Sequence, residues 1–484
     1  MSDSTDEHLA FMSTVDLARA LRDRVVSSRE VLDAVIARIE RLDGPVNSVV
    51  TTDYGRARTQ AAAADEATAR GESRGPLHGV PMTIKDSWQT AGLLTTSGAP
   101  ELADHVPDED AWPVARLKQA GAIVFAKTNL PIYAGDFQSY NDLFGTTNNP
   151  FDSTRTPGGS SGGAAAALAC GFTPLELGSD IGGSIRLPSH MSGVAGHKPS
   201  YAIVPAHGQI PGPPGTLTQA DLAVAGPMAR TVEDLELALG LMAGPDRWNQ
   251  PAWRLELPPP RRARVEDYRI GAWLDDPRCP VEPEVRGLLE TAAAALAGAG
   301  AVVDDSVRPG FSLDKAMEAF LTLLQSALSG GSSPEAIEGM AASADDTPGG
   351  AVKRRISIRH REWLSVNERR LQMRMRWEEL FTSWDAMLLP VMPCTALPHD
   401  HSEPMRNRTV SFSGKDWQYW DAATWMAPAG ACYLPATVVP VGLTSGGLPV
   451  GIQIVGPYLG DRTTLDVARH VLAAAGGCSR PPGF

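Results

Sequence analysis

The chain has 484 residues, of which 43% are hydrophobic, 20% charged and 6% aromatic, and it carries a formal net charge of -13. This length exceeds a typical single domain, yet no stretch divides the chain into independent parts, so one large compact unit spanning 1–484 is expected; collagenous, coiled and disordered classes are excluded. The acidic balance argues against a nucleic-acid partner, because such binders present a basic face to the phosphate backbone.

The first residues, Met1 to Glu7, are acidic and polar and lack the basic and apolar parts of a signal peptide. No apolar run approaches membrane-spanning length, so no membrane partner is expected and the cytoplasm is the expected compartment. The five cysteines, Cys170, Cys279, Cys394, Cys432 and Cys478, are odd in number and widely spaced, which fits reduced packing thiols.

Ser27-x-x-Glu30 forms a capping box ahead of Val31, Leu32, Val35, Ile36, Ile39 and Leu42 on one helical face. An alanine-rich helix follows from Tyr54 to Arg70. Residues Gly79 to Asp86 alternate as a short strand that ends at Lys85. A helix over Ala115 to Ala120, closed by Gly121, leads into a buried strand at Ala122 to Ala126, and strand, helix, strand predicts parallel pairing. Thr231-x-x-Asp234 opens a further helix, so residues 70–245 read as an α/β core.

A proline- and arginine-rich connection over 246–265 precedes a strand at Tyr268 to Trp273, a helix at Pro283 to Ala297 and a strand at Val302 and Val303. Residues 310–381 are mostly helical, interrupted by Gly/Ser/Pro loops, and read as a helical insertion or cap near the substrate pocket. Within them, Lys353 to Arg376 interleaves basic residues with Trp363, Leu364, Leu371, Met375 and Trp377. That spacing describes an amphipathic helix with a solvated basic face. Strands return at Met387 to Pro390, Ala436 to Pro440 and Gly451 to Val455, and a helix from Thr464 to Ala475 closes the chain.

Two serine-bearing glycine loops carry the chemistry: Gly158-Gly159-Ser160-Ser161-Gly162-Gly163, and Gly178-Ser179-Asp180-Ile181-Gly182-Gly183-Ser184-Ile185-Arg186. Glycines around a serine allow close backbone approach and let successive N–H groups converge on an oxyanion. Gly158-x-Ser160-x-Gly162 also fits a nucleophile elbow, but Ser153 to Pro157 is not the hydrophobic strand that pattern requires. No Gly-Lys-Ser/Thr follows, so the loop is not a phosphate cradle.

In order, the strand lysine, the first loop and the second loop resemble the amidase signature family. Further matches are Leu77 to Pro81, Lys127-Thr128-Asn129, Phe144 to Pro150, Gly226 to Arg230 and Gly447 to Gln453. The resemblance spans nearly the whole chain. It implies a single large α/β domain with a mixed, mostly parallel central sheet flanked by helices. It also implies a catalytic triad of Lys85, Ser160 and Ser184, with Ser184 as nucleophile and a cis peptide before Ser160. The N–H groups of Ile181, Gly182, Gly183 and Ser184 would hold the oxyanion, and the carbonyl near Ala134 would receive a substrate N–H. Tyr133, Phe137, Trp417 and Trp425 are candidates for an apolar or aryl pocket, bordered by the proline-rich loop Ile210 to Thr218. Where the family shows Pro-Ala-x-x-Cys-Gly and Lys-Pro-Thr-x-Gly-Arg, this chain has Pro188 to Gly193 and Lys198 to Ile203, with different residues.

The family needs no cofactor and no metal, and His399-Asp400-His401 is read as incidental, like His190, His197 and His207. Met191, Met228, Met392 and Met426 are read as core or pocket lining. The expected activity is hydrolysis of a linear amide through a Ser184 acyl-enzyme, on apolar or aryl amides and related esters, anilides or carbamates. The partners are then a small-molecule amide and water, with a homodimer as the assembly the apolar N-terminal helices would support. Two alternatives stand beside it: the glutaminase-type subunit of a tRNA-dependent amidotransferase, and a non-catalytic binding protein of the same fold.

Overall fold

The computed structural model describes residues 3–210 and 215–484; Pro211 to Pro214, in the middle of the proline-rich loop, lie outside the described residues. Eleven strands form one central sheet. In chain order they are β1 (Val49–Thr52), β2 (Pro81–Lys85), β3 (Ile123–Thr128), β4 (Leu175–Asp180), β5 (Ala195–Lys198), β6 (Val224–Ala229), β7 (Arg269–Ala272), β8 (Val302–Asp304), β9 (Ala386–Pro390), β10 (Ala436–Leu443) and β11 (Pro449–Val455). Their spatial order is β1-β3-β2-β4-β6-β5-β10-β11-β9-β7-β8. The sheet is mixed: parallel pairing occurs in the blocks β3-β2-β4 and β9-β7-β8, and antiparallel pairing elsewhere.

Helices cover this sheet, and every residue of β2, β3, β4, β6, β9 and β11 is buried. Continuous burial explains why these strands read as apolar runs more than as alternating ones. The helix Gly162–Ala169 is itself wholly buried, and at Gly163 the backbone of Asn129 and Ser48 occupies the place of a side chain. A separate cluster under the N-terminal helices joins Leu32, Val35, Ile36 and Ile39 to Ile123, Phe125 and Phe172. The Ser27 capping box forms on both sides: Ser27 Oγ accepts from the Glu30 N–H at 3.1 Å, and the Glu30 carboxylate accepts from the Ser27 N–H at 2.8 Å.

The segment 313–380 folds as the helices Leu313–Leu328, Pro334–Ala342, Pro348–Ile356 and His360–Leu380. The last helix buries Val366, Arg370, Met373, Trp377 and Leu380 along one face. Arg370 departs from the expected solvated basic face, because its guanidinium Nη1 donates to both carboxylate oxygens of Asp221 at 2.9 Å. All five cysteines are free, and four are buried. Among the described residues no helix is long and apolar enough to cross a membrane.

The register places the site. Thr83 pairs with Glu176 and Lys85 with Thr128, so the carboxyl ends of parallel β2, β3 and β4 lie along one edge of the sheet. Lys85 ends β2 and Asp180 ends β4, immediately before the second glycine loop. Sites in open α/β sheets form at such carboxyl edges.

Candidate active site

Lys85 is wholly buried, and its Nζ donates to Ser160 Oγ at 2.7 Å and to Ser179 Oγ at 3.0 Å. Burial pushes its pKa down to about 7, against the smaller opposing pull of the Asp180 and Glu176 charges. Charging an amine in a dry interior is costly, so the neutral amine becomes accessible near physiological pH. Behind it, Glu176 accepts from Thr128 Oγ1 at 2.7 Å and is raised by burial to about 7. Burial lowers Lys127 to about 8 and raises Asp86 to about 6. Buried titratable groups of both signs thus underlie the lysine.

The first loop supplies Ser160, which is 1% exposed and follows a cis Gly159–Ser160 peptide. Glycine is required at 159 by space, since a Cβ there would lie 2.6 Å from the Asp136 carbonyl oxygen and from the Phe137 carbonyl carbon. Ser139 Oγ donates to the Gly158 carbonyl at 3.0 Å and accepts from the Gly162 N–H at 3.1 Å, closing the loop. The Ser161 N–H donates to the Ser184 carbonyl at 3.2 Å, which ties the two glycine loops together.

The second loop is organised by Asp180. Its carboxylate accepts from the N–H groups of Gly183 (3.0 Å), Ile185 (3.2 Å) and Arg186 (3.4 Å) and from the Arg186 guanidinium at 2.9 and 3.0 Å. The Arg186 charge and these bonds hold the Asp180 carboxyl below its usual range despite burial. This corrects one expectation: the Gly183 N–H is committed to Asp180 and is not a free donor for an oxyanion. The N–H groups of Ile181, Gly182 and Ser184 donate to no acceptor among the described residues. Gly183 has a φ of +119°, and Met426 and Leu187 pack where its Cβ would be. Leu324 and Phe137 lie 3.7 and 3.8 Å from the corresponding point at Gly182, so the open side of the loop meets an apolar wall.

The remaining candidates separate. Ala134 has a φ of +57° and sits half-buried in the Ile132–Ala134 turn, with its N–H on the Pro131 carbonyl at 2.9 Å. The Tyr133 hydroxyl donates to Glu101 at 2.6 Å. Phe137 lies against Gly182 of the second glycine loop, whereas two expected pocket residues are held by other partners. Trp425 is fully buried, donating to the Cys279 carbonyl at 3.1 Å and packing edge-on to Trp273. Trp417 stacks on Phe412 within the hairpin formed by Thr409–Phe412 and Lys415–Gln418.

His190 is pinned neutral in the core, accepting from the Gly451 N–H at 2.9 Å and bonding the Cys394 carbonyl at 3.0 Å. His197 bonds Thr437 and Asp461. His399 and His401 contact one another edge-on, and among the described residues no group of three or more His, Cys, Asp or Glu could hold a metal. Met191 and Met228 pack against Gly158 and Gly178, behind the two loops. Sequence reasoning missed Ser179 as a partner of Lys85, although it sits inside the second motif, and Asp136 and Leu324, for which the sequence holds no signal.

The family profile described as Amidase matches residues 30–465. Among curated proteins, a glutamyl-tRNA(Gln) amidotransferase subunit of Moorella thermoacetica is 34% identical over 483 residues, covering 95% of this chain and 96% of that protein. The protein of the same name from Saccharolobus solfataricus is 31% identical, covering 94% and 95%. Among solved structures, a bacterial aryl acylamidase of the amidase signature family superimposes with a TM-score of 0.81 at 26% identity, covering 96% of each chain. Matched along nearly its whole length by that profile and by these relatives, the chain belongs to the amidase signature family of amide-hydrolysing enzymes.

Proposed function

We propose that the protein cleaves a linear amide through an acyl-enzyme on Ser184, with Ser160 and Lys85 as the proton relay. The observation that carries this reading is the fully buried Lys85 Nζ held 2.7 Å from Ser160 Oγ, with its pKa brought down to about 7 by burial. A serine hydroxyl is a weak nucleophile and needs a neighbouring base. Neutral Lys85 accepts the Ser160 proton, Ser160 Oγ takes the proton of Ser184, and Ser184 Oγ bonds the substrate carbonyl carbon. Ser160 then gives its proton to the nitrogen as the C–N bond breaks and an amine or ammonia leaves, and Lys85 returns its extra proton to Ser160. Water then attacks the ester by the reverse route and releases a carboxylic acid. The N–H groups of Ile181, Gly182 and Ser184 hold the oxyanion, and the Ala134 carbonyl is the acceptor for a substrate N–H.

The Phe137 and Leu324 wall favours apolar or aryl amides, with anilides, esters and carbamates as related substrates. A second reading, the glutaminase-type subunit of a tRNA-dependent amidotransferase, is favoured by the 34% and 31% identical relatives. The core placement of Trp425 is consistent with that second reading, since this tryptophan does not line an aryl pocket.

Treating wild type, Ser184→Ala and Lys85→Ala with a small fluorophosphonate tests the shared chemistry. A single adduct on Ser184, absent in Ser184→Ala and slowed in Lys85→Ala, is expected; an unlabelled wild type overturns the proposal. Parallel assays of acyl anilide cleavage and of ammonia release from glutamine then separate the two readings.

A further inference from the structure

Asp136 is the hub of a buried network that joins two distant parts of the chain. Its Oδ1 accepts from the Phe137 N–H and from the Tyr419 hydroxyl, each at 2.6 Å. Its Oδ2 accepts from Arg408 Nη1 at 2.6 Å and from the Tyr140 hydroxyl at 3.1 Å. Both side chains of the ion pair are buried. The rest of the Arg408 guanidinium is engaged by the Ser402 carbonyl at 2.7 Å, the Tyr140 hydroxyl at 2.7 Å and Glu403 at 2.9 Å.

Two contacts connect this network to the chemistry. The backbone of Asp136, Phe137 and Gln138 fills the space beside Gly159, at the peptide that carries Ser160. The Phe137 ring, backed by Trp420 at a centroid distance of 4.5 Å and by Tyr419 at 5.6 Å, faces Gly182 of the oxyanion loop. Tyr419 is therefore both a ligand of the Asp136 carboxylate and a support for the Phe137 ring.

We propose that Asp136 and Arg408 are a positioning pair: through the 136–138 segment they fix the Ser160 peptide, and through Phe137 they make the site select amides with a flat, apolar acyl or amine substituent. This rests on the proposed acyl-enzyme function. A buried, charge-assisted guanidinium–carboxylate contact is rigid enough to fix a loop to within the tolerance that catalysis needs. Asp136→Asn keeps the size of the side chain and removes the charge that Arg408 holds.

The test compares wild type, Asp136→Asn and Phe137→Leu, each at a temperature below its own melting transition. Two quantities are read: the rate of fluorophosphonate labelling, and the ratio of kcat/KM for an acyl anilide to that for the matching unsubstituted amide. Asp136→Asn is expected to slow labelling by about tenfold or more, as small displacements of catalytic groups do. It is also expected to lower the anilide preference in the same direction as Phe137→Leu. A merely structural role reduces the folded fraction and moves both substrates equally, leaving the ratio unchanged, and that result overturns the proposal. If Asp136→Asn does not fold, Phe137→Leu decides alone: an unchanged substrate ratio overturns the proposal. Wild type that is not labelled at all overturns the acyl-enzyme reading first, and so the two failures are distinguishable.

Discussion

The Arg186 guanidinium binds the Asp180 carboxylate through Nη2 at 2.9 Å and Nε at 3.0 Å, and neither side chain is exposed. The same carboxylate holds the Gly183, Ile185 and Arg186 N–H groups, so this one pair folds the loop that presents Ser184. Gln453 Oε1 and the Met426 carbonyl accept from Arg186 Nη1 at 2.8 and 3.2 Å, so all three guanidinium nitrogens have protein partners. Arg186→Met strands a buried carboxylate, and losses of this kind run to about 3–5 kcal/mol. Chemical denaturation of the variant is expected to show a drop of that order, and unchanged stability would mean the pair does not hold the loop.

In the proposed relay, Lys85 sets the pH dependence. It acts as a base only when neutral, and burial brings its pKa to about 7. The rate of Ser184 labelling is therefore expected to climb with pH below about 7 and level off above it. The Glu176 charge favours the protonated lysine, as does Asp180, though Asp180 is already tied to Arg186. Asp86 and Lys127 lie in the same buried cluster but oppose one another in sign. Glu176→Gln is expected to move the rising limb to lower pH, and a limb that stays in place or moves up would remove Glu176 from the control of Lys85.

Local features were readable from the chain alone because their causes are local. Ser27 and Glu30 are three residues apart and cap one helix, and the apolar runs of β2, β9 and β11 declare burial wherever they fold. Lys85, Ser160 and Ser184, the proposed triad, stand out in the chain because each sits in a dense motif of glycines or at a strand end. The bond from Lys85 to Ser179 depends on the parallel register of β2 beside β4, which strand–helix–strand order suggests but does not specify. Asp136 and Arg408 stand 272 positions apart, and no spacing or pattern links them. Trp425 misled for a related reason: a tryptophan in an apolar stretch serves a pocket or a core equally well, and its N–H found the Cys279 carbonyl in the core. The Gly183 N–H was misassigned because a carboxylate three residues earlier competes for it.

The capping box offers a prediction independent of the site. Ser27→Ala removes the acceptor for the Glu30 N–H and frees the helix Ser28–Leu42 to fray. Losing such a cap costs about 0.5–2 kcal/mol. The change is expected to appear in the denaturation midpoint while the labelling rate of the folded enzyme stays the same; a lost labelling rate would show that this helix is coupled to the loops.

Gly159 and Gly182 make opposite predictions from the same substitution. At Gly159 a methyl group would meet backbone atoms of Asp136, Phe137 and Gln138 at 2.6 to 2.7 Å, and backbone cannot swing aside as a side chain can. Gly159→Ala is therefore expected to unfold the loop or shift Ser160, with labelling lost and overpacking costs of about 1–3 kcal/mol or more. At Gly182 the nearest atoms are side-chain carbons of Leu324 and Phe137 at 3.7 and 3.8 Å, an ordinary contact distance. Gly182→Ala is expected to fold with an unchanged melting temperature and to accept the small fluorophosphonate. Its methyl group would narrow the gap between the two apolar side chains, so KM for bulky aryl amides is expected to rise while small amides are unaffected. A Gly182→Ala enzyme with unaltered KM for every amide would place the substrate on the other side of the loop, away from Phe137 and Leu324.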